Sequence, residues 1–136
     1  MAKESGIGWT TLSVDDSSGT PRDIRNDIGS LQFATPRAVQ DVTGIDKSAI
    51  ERLLLLADFS ITLTFPAFDD GTASLHSVFK TVPSTSVART TSIAVSGQTL
   101  APEVLYTDYA LNRGQDGSLG ATVPGVLADG VVPTWS

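Results

Sequence analysis

The sequence predicts a mainly β protein with one flanking α-helix, and three features of the chain support this prediction. Thr, Ser, Gly and Val are plentiful, while charged residues make up only 18% of the 136 residues, and β-branched residues suit a pleated, half-buried surface. Polar and apolar residues alternate strictly from Asp58 to Phe65, which is the period of a strand with one buried face. The clearest amphipathic helix spacing lies in the segment 72–82.

The N-terminal part, residues 1–45, is expected to hold a strand over about residues 8–14, followed by a loop and extended segments. The stretch "GWTTLSVDD" alternates and leads into a cluster of turn residues at 15–19. The stretch "ATPRAVQDVTG" is expected to be extended, because Pro36 disfavours a helical conformation at the residue before it.

The segment "ERLLLLADFSITLTF" (51–65) allows two interpretations. We predict a helical turn over 46–51 and then one long strand over 53–66, whose first half is apolar on both faces and is therefore expected to be covered on both sides. The alternative is an amphipathic helix that ends near Ala57, since Ser48 and Glu51 have the spacing of a capping box.

The predicted helix over 72–82 places four apolar residues on one face, and this face should pack against a sheet. These residues are Leu75, Val78, Phe79 and Val82. Thr72 is expected to cap the helix, and Pro83 is expected to end it.

The C-terminal half is predicted to contain strands over 87–128 and a tail over 129–136. The stretch "GQDG" at 114–117 has the glycines of a hairpin loop. Pro124 predicts an edge or bulged strand, because proline cannot donate to a sheet ladder. Trp135 is expected to anchor the tail against the body of the protein or against a neighbour.

The composition argues against an enzyme and against a metal or cofactor site. The chain has no Cys and one His, and its nine basic and fifteen acidic residues give a net charge of −6, which disfavours tight DNA binding. Ser77 and Lys80 match the S-x-x-K string of serine acyl-enzymes, but the accompanying S-D-N and K-T-G strings are missing. His76 is interpreted as a surface residue, and the carboxylate pairs at 15–16 and 69–70 as turn residues.

The chain is expected to be made and kept in a cytoplasm, or assembled there, without contact with a membrane. The N-terminus "MAKESGIGWTT" has no apolar core of signal-peptide length. The longest apolar run, 53–57, is far shorter than the ~20 residues of a membrane span.

Five stretches, in their order and spacing, resemble the major tail tube proteins of long-tailed phages (siphoviruses), especially those of actinobacterial phages. The stretches are "GWTTLSVDD", "GTPRDIRNDIGSLQFATPRAVQDVTG", "ERLLLLADFSITLTF", "HSVFKTVPSTSVARTTSIAVSGQTLAPEVLYTDY" and "PGVLADGVVPTW". Together they cover nearly the whole chain, which the resemblance treats as one tail tube domain, 1–136.

This resemblance implies a β-sandwich or small barrel of the phage tail tube type with one flanking helix. It also implies homo-hexameric rings stacked into a tube within the virion, assembled in the bacterial host cytoplasm with tape-measure, baseplate and tail terminator proteins. Double-stranded DNA would pass through the lumen without specific binding. Six chains of charge −6 give a ring a formal charge of −36, so we expect an acidic lumen that repels phosphates.

The polar face of the predicted long strand supplies the expected lumen-facing or subunit-interface residues. These are Asp58, Ser60, Thr62 and Thr64. Asp58 is the first carboxylate expected in the lumen, and an ion pair with an arginine of the neighbouring subunit is the alternative. The loops near 15–20 and 112–118 are candidates for contacts between stacked rings.

Other functions fit a similar β scaffold. The chain could be a tail terminator, a head–tail completion protein or a capsid decoration protein. A small β-sandwich module that binds carbohydrate or protein ligands is a third class. A carbohydrate module would use exposed aromatic side chains, whereas the two Trp, two Tyr and five Phe are mostly expected in the core or near the termini.

Overall fold

A computed structural model describes Lys3 and residues 5–136, and antiparallel strands dominate this part of the chain. A short 3-10 turn, Gly6–Gly8, precedes the first strand. The strands are β1 Trp9–Asp15, β2 Pro21–Asp23, β3 Ser30–Ala34, β4 Arg37–Asp41, β5 Arg52–Ala57, β6 Ser60–Phe65, β7 Arg89–Val95, β8 Gln98–Leu100, β9 Glu103–Tyr106, β10 Ala110–Arg113 and β11 Leu119–Leu127, and the helix is α1 Leu75–Phe79.

Nine of these strands form one curled sheet in the order β2-β1-β7-β9-β11-β6-β3, with β8 beside β7 and β10 beside β11. The sheet does not close into a barrel, because β2 and β3 at its ends each have one strand partner among the described residues. The remaining strands, β4 and β5, pair only with each other. The predicted mainly β fold with one flanking helix is confirmed.

Buried side chains from most strands of the nine-stranded sheet meet those of α1 in one core. In β6 the predicted alternation is confirmed, since Ile61, Leu63 and Phe65 are buried while the residues between them are exposed. The core also contains Leu12, Val14, Ile24, Phe59, Leu75, Val78, Phe79, Ile93, Leu100, Val104, Tyr106, Ala121 and Val123. Each fully buried large apolar side chain stabilises the fold by about 1.5–3 kcal/mol relative to its exposed state.

The predicted strand over 53–66 is in fact two strands with different partners. The backbone N–H of Asp58 donates to the carbonyl of Pro36, and its carboxylate accepts a 2.7 Å hydrogen bond from the next N–H, that of Phe59. Such a local side-chain hydrogen bond competes with a regular ladder, and here β5 leaves the main sheet at this point. The alternative helix ending near Ala57 is wrong, because 52–57 is extended.

The predicted helical turn over 46–51 is also wrong, because these residues belong to the loop that joins β4 and β5. Glu51 pairs across this loop: its N–H donates to the hydroxyl of Thr43, and its carbonyl accepts from the N–H of Val42. The apparent capping box of Ser48 and Glu51 therefore caps no helix.

The helix is shorter than the predicted span of 72–82, although its buried face is as predicted for Leu75, Val78 and Phe79. Ser74, and not Thr72, lies at its N-cap, where its N–H donates to the hydroxyl of Ser77 at 2.9 Å. The chain continues after α1 in non-helical turns up to residue 84.

Arg89 joins the helix to two strands of the sheet. Its buried guanidinium donates to the carbonyl of Asp15 (3.0 Å), the carbonyl of Val78 (2.8 Å) and the hydroxyl of Thr81 (2.9 Å). Burial lowers the pKa of this guanidinium. Three hydrogen bonds offset part of the cost of burying the charge, and they fix the end of α1 against β1 and β7.

Pro124 lies in β11, which is neither an edge strand nor the bulged strand that the sequence predicted, since it has partners on both sides. On one side of β11, β10 pairs as far as Thr122, and β9 begins to pair at Gly125. Pro124 occupies the gap between these partners, and its carbonyl accepts the N–H of Thr107. The missing proline N–H is therefore tolerated in a central strand.

Two features of the C-terminal part, the loop at 114–117 and the anchored tail, agree with the sequence prediction. The loop "GQDG" closes the β10–β11 hairpin, with Gly117 in the left-handed region at φ 92° and its N–H donating to the carbonyl of Gly114. The tail is anchored on the body, because Trp135 forms a β-bridge with Leu100 and packs on Phe33 at a ring distance of 6.0 Å. Among the described residues, the one helix has five residues and cannot cross a membrane.

Candidate assembly surfaces

Four adjacent strands, in the order β10-β11-β6-β3, present one continuous outward face. We call this surface the hydroxyl face; its residues are Ala110 and Asn112 of β10, Thr122, Pro124 and Val126 of β11, Ser60, Thr62 and Thr64 of β6, and Ser30, Gln32 and Ala34 of β3. The register places these residues opposite one another, with Thr62 between Gln32 and Pro124, except that Asn112 lies opposite Gly120. None of these eleven residues is ionisable.

Three of the four residues singled out in the sequence, Ser60, Thr62 and Thr64, lie on the hydroxyl face and are exposed. Asp58 is exposed two residues before Ser60, at the rim of this face. Within the described part of the chain Asp58 makes no ion pair. The hydroxyl face therefore has Asp58 at its edge and no carboxylate among its eleven residues.

The β4–β5 hairpin is the second unusual surface, because both of its faces are apolar and exposed. Val39 pairs with Leu54 on one face, and Leu53 lies on the other face beside Gln40. Leu56 is 87% exposed, Leu54 62% and Val39 56%. At the end of the hairpin Ile45 and Ile50 are also exposed.

An isolated two-stranded ribbon is at most marginally stable in water, and contiguous exposed apolar patches mark interaction surfaces. The sequence predicted that the leucine run is covered on both sides. Within this chain that prediction is wrong, since Leu53 to Leu56 are all exposed. The two strands of the hairpin are held to each other by their pairing and by the Arg37 guanidinium, which donates twice to the carbonyl of Leu55.

The hydroxyl face is bounded by two open strand edges. Among the described residues, β3 pairs only with β6, and β10 pairs only with β11. Open edges present unpaired N–H and C=O groups that can pair with a strand of another chain. The four-stranded half of the sheet can thus be extended on both sides.

The candidate catalytic residues Ser77 and His76 form hydrogen bonds and packing contacts within the fold. The Ser77 hydroxyl donates to the carbonyl of Ser74, and no hydrogen bond joins it to Lys80. His76 is half-buried and not on the open surface, because its ring packs on Phe68 and its Nδ1 lies 3.1 Å from the Tyr109 hydroxyl.

The prediction that the carboxylate pairs are turn residues is wrong for Asp15, which ends β1 and pairs with Pro21, whereas Asp16, Asp69 and Asp70 lie in connections between elements. Asp16 accepts the N–H groups of Ser18 and Thr20, which lower the pKa of its carboxyl. Asp69 accepts the N–H of Gly71, which lowers its pKa in the same way.

Asp27 is a buried carboxyl that no sequence pattern singles out. Its Oδ2 accepts a 2.9 Å hydrogen bond from the N–H of Leu75, the first residue of α1 and 48 positions further along the chain. Burial raises the pKa of Asp27, and a hydrogen bond to Asp69 raises it further. The pKa values of the two carboxyls therefore shift in opposite directions, that of Asp27 upward and that of Asp69 downward.

Replacing Asp27 with Asn is expected to raise the thermal midpoint at pH 7. A carboxyl whose pKa is raised in the folded state destabilises the protein above that pKa, and this penalty disappears below the unfolded value, about 3.8. The Asn side chain can still accept from Leu75 and can donate to Asp69. The gain over wild type should therefore shrink as the pH falls from 7 towards 4.

Thermal denaturation of Asp27→Asn and wild type at a series of pH values measures this difference, with Asp70→Asn as the control next to the pair. A lower midpoint for Asp27→Asn than for wild type at pH 7 would show that the ionised carboxylate is the stabilising form.

Neither a protein-family model nor a curated protein matches the sequence. Solved structures do match over nearly the full length. A chain of the virion of a native gene transfer agent particle has a TM-score of 0.73 at 13% identity and covers 97% of this chain and 99% of its own. A chain of the tail of an empty gene transfer agent particle, refined helically with C6 symmetry, has a TM-score of 0.71 at 15% identity and 98% coverage of both chains.

A third similar chain comes from the six-fold symmetrised baseplate of the anti-feeding prophage. Its TM-score is 0.63 at 12% identity, with 100% of this chain and 97% of that chain covered. At such identities the likeness shows a common fold. The predicted fold of the tail tube type is thereby confirmed.

Proposed function

We propose that this chain is the structural subunit of a phage tail tube. In this proposal six copies form a ring, the rings stack into a hollow tube in the virion, and genomic DNA passes through the lumen during ejection. The tape-measure, baseplate and tail terminator proteins of the same phage would be its partners. The role is structural and uses no catalytic group.

The observation that carries this proposal is the apolar β4–β5 hairpin. Its leucines are exposed on both faces of a ribbon that extends from the main sheet. Burying one Leu side chain contributes about 1.5–3 kcal/mol, so the hairpin supplies a large driving force for association. A protein that functions as a monomer would keep these leucines exposed to water and would risk aggregation.

The open edges of the four-stranded half-sheet support a ring. If β10 of one subunit pairs with β3 of the next, six subunits of four strands give a closed barrel of 24 strands. At a strand spacing of about 4.8 Å the barrel is at least ~37 Å across, and side chains of ~5 Å on each wall leave a bore of roughly 27 Å. Strand tilt widens it further, so a DNA duplex can pass.

The comparisons support six-fold assembly. The similar chains belong to a virion, a tail with C6 symmetry and a six-fold symmetrised baseplate. Their full-length agreement with this chain includes the elements that would form the ring.

Negative-stain microscopy of the purified protein over a range of concentrations tests the proposal, with sedimentation velocity as the measure of size. Tubes or stacked six-membered rings are expected. Single rings that never stack would indicate a tail terminator, and monomers or trimers at every concentration would exclude the tube and favour a decoration protein.

A further inference from the structure

The hydroxyl face differs from the rest of this surface in charge. Protein surfaces commonly carry 25–35% charged residues, so eleven outward positions would hold about three, whereas this face holds none. Of the charged groups near it, Asp58 and Asp108 lie in the connections beside the strands, and Glu103 lies in β9, whose Leu105 pairs with Val126. The depletion follows the sheet across four strands, so one stretch of sequence cannot account for it.

The side chains of the hydroxyl face suit contact with water and do not suit a protein interface. Seven of the eleven have hydroxyl or amide groups, namely Ser30, Gln32, Ser60, Thr62, Thr64, Thr122 and Asn112, and none is aromatic. Interface cores are apolar and enriched in aromatic residues, and each buried hydroxyl or amide would need a partner. The leucines of the β4–β5 hairpin have the opposite character, so the two surfaces have separate uses.

We propose that the hydroxyl face is the wetted wall of the channel, and that the absence of charge on it lets duplex DNA move past without being held. This inference rests on the proposed tube. A wall without Lys or Arg neutralises no phosphates, so it gains nothing from the release of counterions. A wall without Asp or Glu opposes entry of the duplex less than an acidic one. A neutral channel wall therefore replaces the acidic lining that the net charge suggested.

Cysteine labelling of assembled tubes tests which surface lines the bore, because the natural chain has no Cys. In Thr62→Cys tubes, a small maleimide should react through the open ends, and a maleimide on a polymer wider than the bore should not. Both reagents should label the unassembled variant. Leu54→Cys should be protected from both reagents in tubes, and Ser86→Cys, at an exposed position in the connection between α1 and β7, provides the exposed reference.

Protection of Thr62→Cys from both reagents would show that the face is a protein interface, and reaction with both would place it on the outer surface. Either result overturns this inference and leaves the tube intact. Failure of wild type to form tubes or rings under any condition would instead overturn the proposed function and the wall assignment together.

The role of neutrality is tested by the retention of short duplex DNA on sedimented tubes. Wild type and Thr62→Asn should retain no duplex, whereas Thr62→Lys adds six cations per ring and should retain it at 50 mM salt but lose most of it by 200 mM. Gln32→Lys on the neighbouring strand provides a second variant if Thr62→Lys does not assemble. Retention by wild type, or equal retention by Ser86→Lys tubes, would contradict the proposal.

Discussion

The double variant Leu54→Asp/Leu56→Asp is expected to abolish tube and ring formation while leaving the subunit folded. Both side chains belong to β5 of the β4–β5 hairpin and are more than half exposed in the subunit. Losing their burial costs about 3–6 kcal/mol per subunit. At about 1.4 kcal/mol per factor of ten, the concentration needed for assembly should rise at least ~100-fold.

The fold itself should be nearly unaffected, because neither leucine contributes to the core. Exposed substitutions of this kind usually change stability by less than ~0.5 kcal/mol, or about 2 °C in thermal midpoint. Sedimentation velocity measures assembly, and thermal denaturation measures the subunit.

The matched control is Leu54→Met/Leu56→Met, which conserves apolar volume and should assemble like wild type. Assembly of the Asp variant at the wild-type concentration would show that Leu54 and Leu56 do not lie in an interface. A large drop in its thermal midpoint would show that the hairpin supports the subunit and not the assembly.

Local periodicity explains what could be predicted from the sequence. The alternation in β6, the apolar side of α1 and the glycines of the β10–β11 loop each depend on neighbours within a few residues. The break at Asp58 was not predictable in this way, because the period-2 pattern continues through Phe59 into the core while the backbone changes sheets.

The assembly surfaces depend on contacts that the sequence does not show. The leucine run looked like a buried segment because hydrophobicity indicates that a residue will be covered, and does not indicate by which chain. The hydroxyl face is assembled by registry between strands up to about 90 positions apart, such as β3 and β11 on either side of β6. Only the polar residues of β6 could be recognised in advance.

Buried polar partners are equally non-local. Asp27 reaches Leu75 across 48 positions, and Arg89 reaches Asp15 across 74. An isolated Asp or Arg in the sequence resembles any surface residue. The helix ends could therefore not be placed from the sequence, because a partner from a distant turn, Asp27, and one from a distant strand, Arg89, help to fix them.

The variant Phe79→Ala is expected to lower the free energy of unfolding by about 3–5 kcal/mol, or roughly 10–20 °C in thermal midpoint for a domain of this size. Phe79 is fully buried at the end of α1. Its ring lies 5.1 Å from that of Tyr106 and 6.0 Å from that of Phe65. The Ala side chain would leave a cavity between the helix and the inner side of the sheet.

This cavity lies directly behind the strands that carry the hydroxyl face, since Phe65 belongs to β6 and Tyr106 pairs with β11. A subunit weakened there should also assemble less well, because ring closure requires a sheet of fixed curvature. The two effects can be separated by temperature: assembly of Phe79→Ala should recover on cooling well below its lowered midpoint.

The neighbouring residue supplies the control, because Lys80 is exposed at the C-terminal end of the same helix. Lys80→Ala should shift the midpoint by no more than about 2 °C. Chemical denaturation followed by tryptophan fluorescence measures both variants, and an equal small loss for Phe79→Ala would mean that α1 is not part of the structural core. The tube proposal would then need a different support behind the channel wall, because no other helix among the described residues packs on these strands.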